Sequence, residues 1–510
     1  MAQCVRRLVL AATLAAAVAL LLCTSSAPVA RAAGTGDFTD EQRTHTLAVL
    51  QAFGRAIPEL GKNWTGDDFC SWDHVTCAPL SVAVGLDVST YAGTLPEIPV
   101  GVDYRYVMIR DLGFWNMPLL VGTLPDSWSN LIRLSFLTLS GCGVSGTLPA
   151  SWSSMAFLRE LTVGNCGRLT GSLPPEWGSM PNLSRLVLRQ LQLSGTLPAE
   201  WSRMRLVLTL EIAAAGSFTG TLPAEWSSIK SLANLYLDDL PIGGSLPPEW
   251  GSMANLRELK IWELPLTGPL PPQWGSIAGL RVLSLRGTSI SGTLPPEWSS
   301  MKFLTNLDLG GANISGSLPP QWGSLEFLRG LDLQGTKVSG TLPPGWSEMK
   351  WMTFLYLELT QLSGTLPSEW SSMTRLRDLN LHGANISGSL PPEWTSMAAL
   401  NFLDLGGTQV SGSLPPQWST MLSAEILQLE HCDLSGSLPP EWSAMPKLRL
   451  VGLKGNHFCG CVPDSWAQNA GLVVRIEDEH KGKYCRLGND CRTTEPTTTA
   501  TPRGTPTPAP

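Results

Sequence analysis

The chain has 510 residues, 43% of them hydrophobic, with 50 Gly, 40 Pro, 20 Trp and a formal net charge of −7. The hydrophobic share suffices for a core, and the acidic balance argues against nucleic acid as a partner, which needs a basic surface. Length alone would predict about three globular domains, a division that the internal repeat overrides.

Arg6 and Arg7 precede an apolar run from Leu8 to Leu22, and Ala30-Arg31-Ala32 supplies small residues around a cleavage point, so residues 1–32 read as a secretory signal. The apolar run is too short to span a bilayer comfortably. Residues 33–80 form an N-terminal cap. Within it, from Thr39 to about Leu60, the spacing of Leu47, Leu50, Phe53 and Ile57 predicts an amphipathic helix, followed by Trp64 and the segment Cys70-Ser71-Trp72-Asp73-His74-Val75-Thr76-Cys77. The register between Gly93 and Gly122 is lengthened, with an aromatic run at Tyr104, Tyr106, Phe114 and Trp115, and predicts a first rung with a longer loop.

Residues 81–458 are then governed by one unit of 24 residues, cleanest at 291–314 as SGTLPPEWSSMKFLTNLDLGGANI. Fifteen tryptophans from Trp128 to Trp466 mark it, at intervals of 24 residues broken by two of 25. So strict a register predicts about fifteen stacked copies of one supersecondary unit. Leu304, Leu307 and Leu309 alternate as a short strand with one buried face must, and stacked copies make a parallel sheet. Pro295-Pro296-Glu297 opens a helical turn, since proline suits a helix's first position. Trp298 and Met301 share the turn's inner side. The extra residue of the two longer repeats falls near Gly167 and Ala214, between strand and turn.

Residues 459–492 carry Cys459, Cys461, Cys485 and Cys491 beside His457 and His480. In an exported chain such a group predicts disulfides rather than zinc, in one of three connectivities. With Cys4 and Cys23 in the signal, nine cysteines remain and one must be unpaired, for which Cys432 is the choice. Residues 493–510 are rich in Thr and Pro and read as an extended, O-glycosylated stalk or tail. No hydrophobic tail follows in the sequence as given, so a released rather than lipid-anchored product is expected. Sequons at Asn63, Asn182, Asn313 and Asn385 are candidate glycosylation sites.

The pattern L-x-x-L-x-L followed by x-S-G-x-L-P resembles plant-type leucine-rich repeats. The wording S-G-[TS]-L-P-P-E-W-[SG]-S-M resembles the promastigote surface antigen family of Leishmania. The resemblance implies a curved α/β repeat solenoid with a parallel sheet on its concave face and cysteine-containing caps at both ends. The segment from Cys70 to Cys77 resembles the C-x-W-x-x-V-x-C cap of plant-type arrays, which implies a Cys70–Cys77 disulfide. Plant-type repeats commonly place Asn just past the strand. Here that column includes Cys142, Cys166, Leu191, Thr288, Ala312, Cys432 and Asn456, so water or backbone is expected to satisfy most of those turns.

Six scattered histidines and the absence of any nucleophile, phosphate-loop or dinucleotide motif point away from an enzyme, and no cofactor or metal is expected. The repeated Glu before Trp, as at Glu297, belongs to the turn's N-terminus. Positions that escape the repeat lie on the sheet's outward side. One cluster is Tyr236, Asp238, Glu258, Lys260, Trp262 and Arg286, mixing aromatic and charged groups as binding hot spots do. A second is Asp308, Asp332, Tyr356, Glu358, Asn380, His382 and Asp404, in which Asp308 and Asp332 face the same way in adjacent rungs and should repel unless Lys or Arg neutralises them. An ordinary solvated face is the alternative for both. The expectation is a non-enzymatic, monomeric extracellular recognition protein. The resemblance implies a secreted or surface antigen that engages host cell-surface proteins such as a macrophage complement receptor, with serum complement components as further partners, and aids complement resistance. An inhibitor of a secreted hydrolase and a passive glycosylated coat are the alternatives.

Overall fold

The structure is a computed structural model that describes residues 38–214, 216–482 and 491. The signal segment, Cys485 and the Thr/Pro-rich tail lie outside them. Among the described residues an 18-stranded sheet runs the length of the array. It begins with an antiparallel pair, Val75–Ala78 against Ser81–Asp87, and continues in parallel, one strand per rung, to Val473–Arg475. Register is kept throughout: Leu283, Leu307, Leu331 and Leu355 are successive partners.

Each rung repeats the same physical solution. In the copy quoted above, the strand Asn306–Asp308 turns Leu307 inward, and Leu304, Leu309 and Ile314 are also buried. A second, outer strip of eight strands, Ser291–Thr293 through His457–Cys459, is built from the S-G segments. The glycine is needed there: Gly316 has φ 79°, and a Cβ would lie 2.8 Å from Thr293 Cγ2. The expected helical turn is a 3-10 turn, Pro296–Ser300, with Pro295 extended at its N-cap. A single turn cannot develop α-type bonding, and the 3-10 form suits so short a piece.

The indoles of this turn form a column. Trp298 and Trp322 lie 6.3 Å apart with planes 3° from parallel, and both are fully buried. Each indole also crosses to its neighbour: Trp298 Nε1 donates to the Pro271 carbonyl at 3.0 Å, while Trp274 N of the earlier rung donates to that same oxygen at 3.1 Å. Equivalent bonds recur in every copy, from Trp128 to Pro96 through Trp466 to Pro439. Strands sit ~4.8 Å apart in a sheet, less than the 6.3 Å between these indoles. The array therefore bends toward the sheet, which becomes the concave face.

The cap helix, Asp40–Ala56, starts with a Thr39–Gln42 capping box. It ends earlier than the spacing predicts. Pro58 cannot continue it, and a second short helix, Pro58–Asn63, begins there. Phe53 begins the aromatic column, 5.8 Å from Trp128 and 5.9 Å from Phe114. The long first-rung loop packs beneath the helix, where His45 stacks on Tyr106 at 5.8 Å.

Cys70–Cys77 and Cys459–Cys491 are disulfides, and Cys461 is also disulfide-bonded. Among the described residues three cysteines, not one, are unpaired: Cys142, Cys166 and Cys432, all buried. They stand in the column just past the strand and act as thiol donors there, Cys432 Sγ to the Leu405 carbonyl at 3.2 Å and Cys166 Sγ to Gly164 O at 3.2 Å. Thr288, Thr336, Thr360 and Thr408 bond the carbonyl three residues back, at 2.7–2.8 Å. Asn456 alone uses its whole amide, accepting from Leu434 N at 3.0 Å and donating to Leu429 O at 2.7 Å. Side chains thus do part of the work expected of water or backbone.

Candidate functional site

The outward positions of the strands Asn234–Asp238, Glu258–Trp262, Val282–Ser284, Asn306–Asp308 and Gly330–Asp332 lie side by side. Their side chains form one chain of hydrogen bonds, ion pairs and cation–ring contacts across the rungs. Tyr236 Oη donates to Glu258 Oε2 at 2.7 Å, and Lys260 Nζ pairs with that oxygen at 3.0 Å. The Lys260 ammonium also sits 5.0 Å from the Tyr236 ring centre and 5.9 Å from that of Trp262. Trp262 Nε1 donates to Ser284 Oγ at 2.7 Å, which in turn donates to Asp308 Oδ2 at 3.0 Å. Arg286 reaches across two rungs to Asp332 Oδ2 at 3.0 Å, passing Asp308 Oδ1 at 3.7 Å.

The expected repulsion between Asp308 and Asp332 is therefore met by Arg286. Each aspartate also caps its own turn, Asp308 Oδ1 accepting from Gly310 N and Asp332 Oδ1 from Gln334 N. Burial still dominates at Asp332. Desolvation, with Asp308 beside it, pushes its carboxyl up to about 6 despite Arg286. Asp238, half-buried among Asp239, Glu263 and Glu211, is likewise raised, first by burial. The Tyr236 hydroxyl is raised by burial and by its bond to Glu258. Glu258 is lowered: its burial is outweighed by the hydrogen bonds from Tyr236 and Lys260.

Trp262, which its outward strand position alone would leave exposed, is half-buried. In the second cluster Tyr356 stacks on Phe354 at 5.6 Å, and His382 Nδ1 lies 3.3 Å from Asp404 Oδ1. Asn380 Oδ1 accepts from His382 N at 3.0 Å, and Glu358 is half-buried beside them. Two members of this surface escaped the sequence reading. Glu211, only 8% exposed, is ion-paired with Arg189, beside the rung of Tyr236 and its neighbours. Both occupy outward positions of their strands, so the alternation that singled out Glu258 and Arg286 would have found them.

Of the sequons, Asn63, Asn313 and Asn385 are exposed. Asn182 spends its amide on the Ala156 carbonyl at 2.7 Å.

A rung-by-rung parallel sheet, a buried indole column and disulfide-closed ends define a leucine-rich-repeat solenoid protein. The sequence profile described as Leucine Rich Repeat matches residues 279–301. Among curated proteins the chain is similar to the surface membrane glycoprotein GP46/M-2 of Leishmania amazonensis, 63% identical over 145 residues. That match spans 28% of this chain and 30% of the relative. It bears out, over that stretch, the resemblance to the Leishmania promastigote surface antigens drawn from the repeat's wording. Among solved structures, the plant peptide hormone receptor RGFR1 in complex with RGF2 aligns at a TM-score of 0.64 and 24% identity, over 80% of this chain and 75% of that one. The Arabidopsis receptor kinase HAESA, solved with the peptide hormone IDA and the co-receptor SERK1, aligns at 0.62 and 23%, over 86% and 82%. A leucine-rich-repeat protein of Leptospira interrogans aligns at 0.59 and 22%, over 77% and 88%. These likenesses establish the fold alone.

Proposed function

We propose that this chain is a non-enzymatic extracellular recognition protein, secreted or held at a parasite surface, whose concave sheet binds host cell-surface proteins. A macrophage complement receptor is the first partner to test, with serum complement components next and aid to complement resistance as the consequence. The observation that carries the reading is the cross-rung network from Tyr236 to Asp332. It holds aromatic and charged groups in fixed positions before any partner arrives, and rigid, prearranged contacts lose little entropy on binding. The similarity to a surface membrane glycoprotein agrees with such a location.

The test is binding of the purified, enzymatically deglycosylated chain to macrophages, with and without Lys260→Ala and Trp262→Ala. The reading expects binding to survive deglycosylation and to fall about tenfold or more in the variants, the scale of a hot-spot residue. Binding that vanishes with the glycans would make the chain a glycan-bearing coat.

A further inference from the structure

The lateral edge where each turn leads into the concave strand carries one column that the repeat does not explain. It is the position five residues after each Trp. In three successive rungs it holds Phe303, Phe327 and Trp351, and in the next it holds Arg375. Phe303 is 55% and Phe327 39% exposed, and their rings stack at 6.2 Å and 11°. Trp351, half-buried, receives a guanidinium from the rung on either side. Arg375 Cζ lies 3.8 Å and Arg329 Cζ 5.6 Å from its ring centre. Among the described residues no carboxylate lies within ion-pairing distance of Arg329 or Arg375. Both are exposed, as are Arg377, Lys302 and Lys350 nearby. The acids of this patch are Glu326, Glu348 and Asp378, the second of them 3.6 Å from Lys350, against five cations. The edge is thus basic in a chain of net charge −7.

We propose that the Phe303–Phe327–Trp351–Arg375 edge is a second interaction surface, which takes an extended segment of a partner protein bearing carboxylates among apolar side chains. Three observations choose this occupant. Packing the stacked phenylalanines against apolar side chains removes surface from water that a single chain has no reason to expose. The two guanidiniums have donor forks free for bidentate bonding to carboxylates. Trp351, the largest of the rings, is taken up by Arg329 and Arg375, and Phe303 and Phe327 cover one face of each other, so little aromatic face is left for a sugar ring to stack on. The exposed sequons do not obstruct the surface either: Asn313 and Asn385 open outer strands beyond the opposite end of the concave strand. The surface differs from the concave network, so either can fail without the other.

The full chain is panned against a phage-displayed library of random dodecapeptides, with Arg329→Glu/Arg375→Glu as counter-selection. Enriched peptides are synthesised and titrated by fluorescence anisotropy, alongside heparin, and self-association is followed by sedimentation. The expected result is enrichment of sequences mixing Asp or Glu with apolar residues, whose affinity falls about tenfold in that variant and again in Phe303→Ser/Phe327→Ser. Thermal unfolding of both variants confirms that they fold, and the four positions allow either pair to serve alone. Enrichment of peptides without acids, or none above the counter-selected variant, overturns the proposal. So does heparin binding that depends on Arg329 and Arg375, which would assign the edge to a sulfated glycan. Self-association lost in the variants would overturn it too, assigning the edge to a second copy.

Discussion

The indole column and the concave face are built from the same rungs, a few residues apart, yet they obey opposite rules. In the column every copy buries its indole and gives it one bond to a proline carbonyl of the rung before, and parallel stacked pairs such as Trp298 and Trp322 recur along it. On the concave face no two rungs agree, and the bonding runs diagonally between unlike residues, as from Arg286 to Asp332. The first region stores stability in the periodic interface between neighbours. The second is free to vary because Leu307 and Leu309 already carry the burial beneath it. The difference teaches where to look for function in a repeat protein: at the positions that the stacking does not need.

The harshest way to break this contrast is Trp298→Ala. It removes a fully buried ring from between two others, and should cost on the order of 3–5 kcal/mol. Because the void touches two interfaces, protection from hydrogen exchange should fall in the rungs of Trp274 and Trp322 as well. A melting temperature close to the parent's would mean that the column is not the stabilising element.

The column's ends sharpen the point. Phe53 covers the first indole, whereas the last, Trp466, depends on a cap held by Cys459–Cys491, a loop of 32 residues against 7 for Cys70–Cys77. On the chain-entropy view the longer loop contributes about 4 kcal/mol and the shorter about 2. Because Cys461 is bridged inside the same loop, replacing Cys459, Cys461 and Cys491 together by Ser should therefore fray the C-terminal strands more than the change at Cys70 and Cys77 frays the N-terminal ones. Equal loss of exchange protection at both ends would refute this ordering.

Asp332 tests the concave face. Its carboxyl, raised to about 6 by burial first and Asp308 second, binds a proton more tightly folded than unfolded. Stability from this group is thus fully present below about pH 4 and is lost as pH rises through about 6, by at most about 3 kcal/mol. An amide at this position carries no proton to lose in that range. The melting temperature of the parent, relative to Asp332→Asn, should fall between pH 4 and 7, and parallel curves would show that Arg286 compensates the charge fully.

The period, the inward leucines and the indole column were legible in the sequence, because each is set within one unit or by its repetition, and the cap disulfide at Cys70 through the resemblance of its segment to plant-type caps. What escaped depends on partners one or two rungs away. The neutralisation of Asp308 and Asp332 turns on how far the Arg286 side chain extends, and the burial of Trp262 on a hydroxyl at Ser284 in the next rung. Counting left one cysteine unpaired, for which Cys432 was rightly the choice, but it missed Cys142 and Cys166; the column of all three faces backbone carbonyls, where a thiol serves as a donor. The aromatic edge was open to sequence reading. Its column lies outside the strand's alternation, and only alignment of the fifth position after each Trp brings Phe303, Phe327 and Trp351 together.

The smallest effect compares one chemical deletion in both regions. Tryptophan to phenylalanine removes an indole N–H and keeps most of the ring. At Trp298 the orphaned Pro271 carbonyl is buried but retains Trp274 N, so the loss combines one hydrogen bond with a small cavity, about 1–3 kcal/mol. At Trp262 the lost bond is to Ser284 Oγ, which lies on the concave side, still donates to Asp308 and can take another donor from water entering where the indole was. That should cost about 0.5–1 kcal/mol. Lys260 keeps an aromatic face beside it, a weaker one than indole. Urea unfolding of the two single variants measures both costs. If Trp262→Phe destabilises as much as Trp298→Phe, the concave network is a structural element like the column, and a recognition surface must be sought elsewhere on the chain.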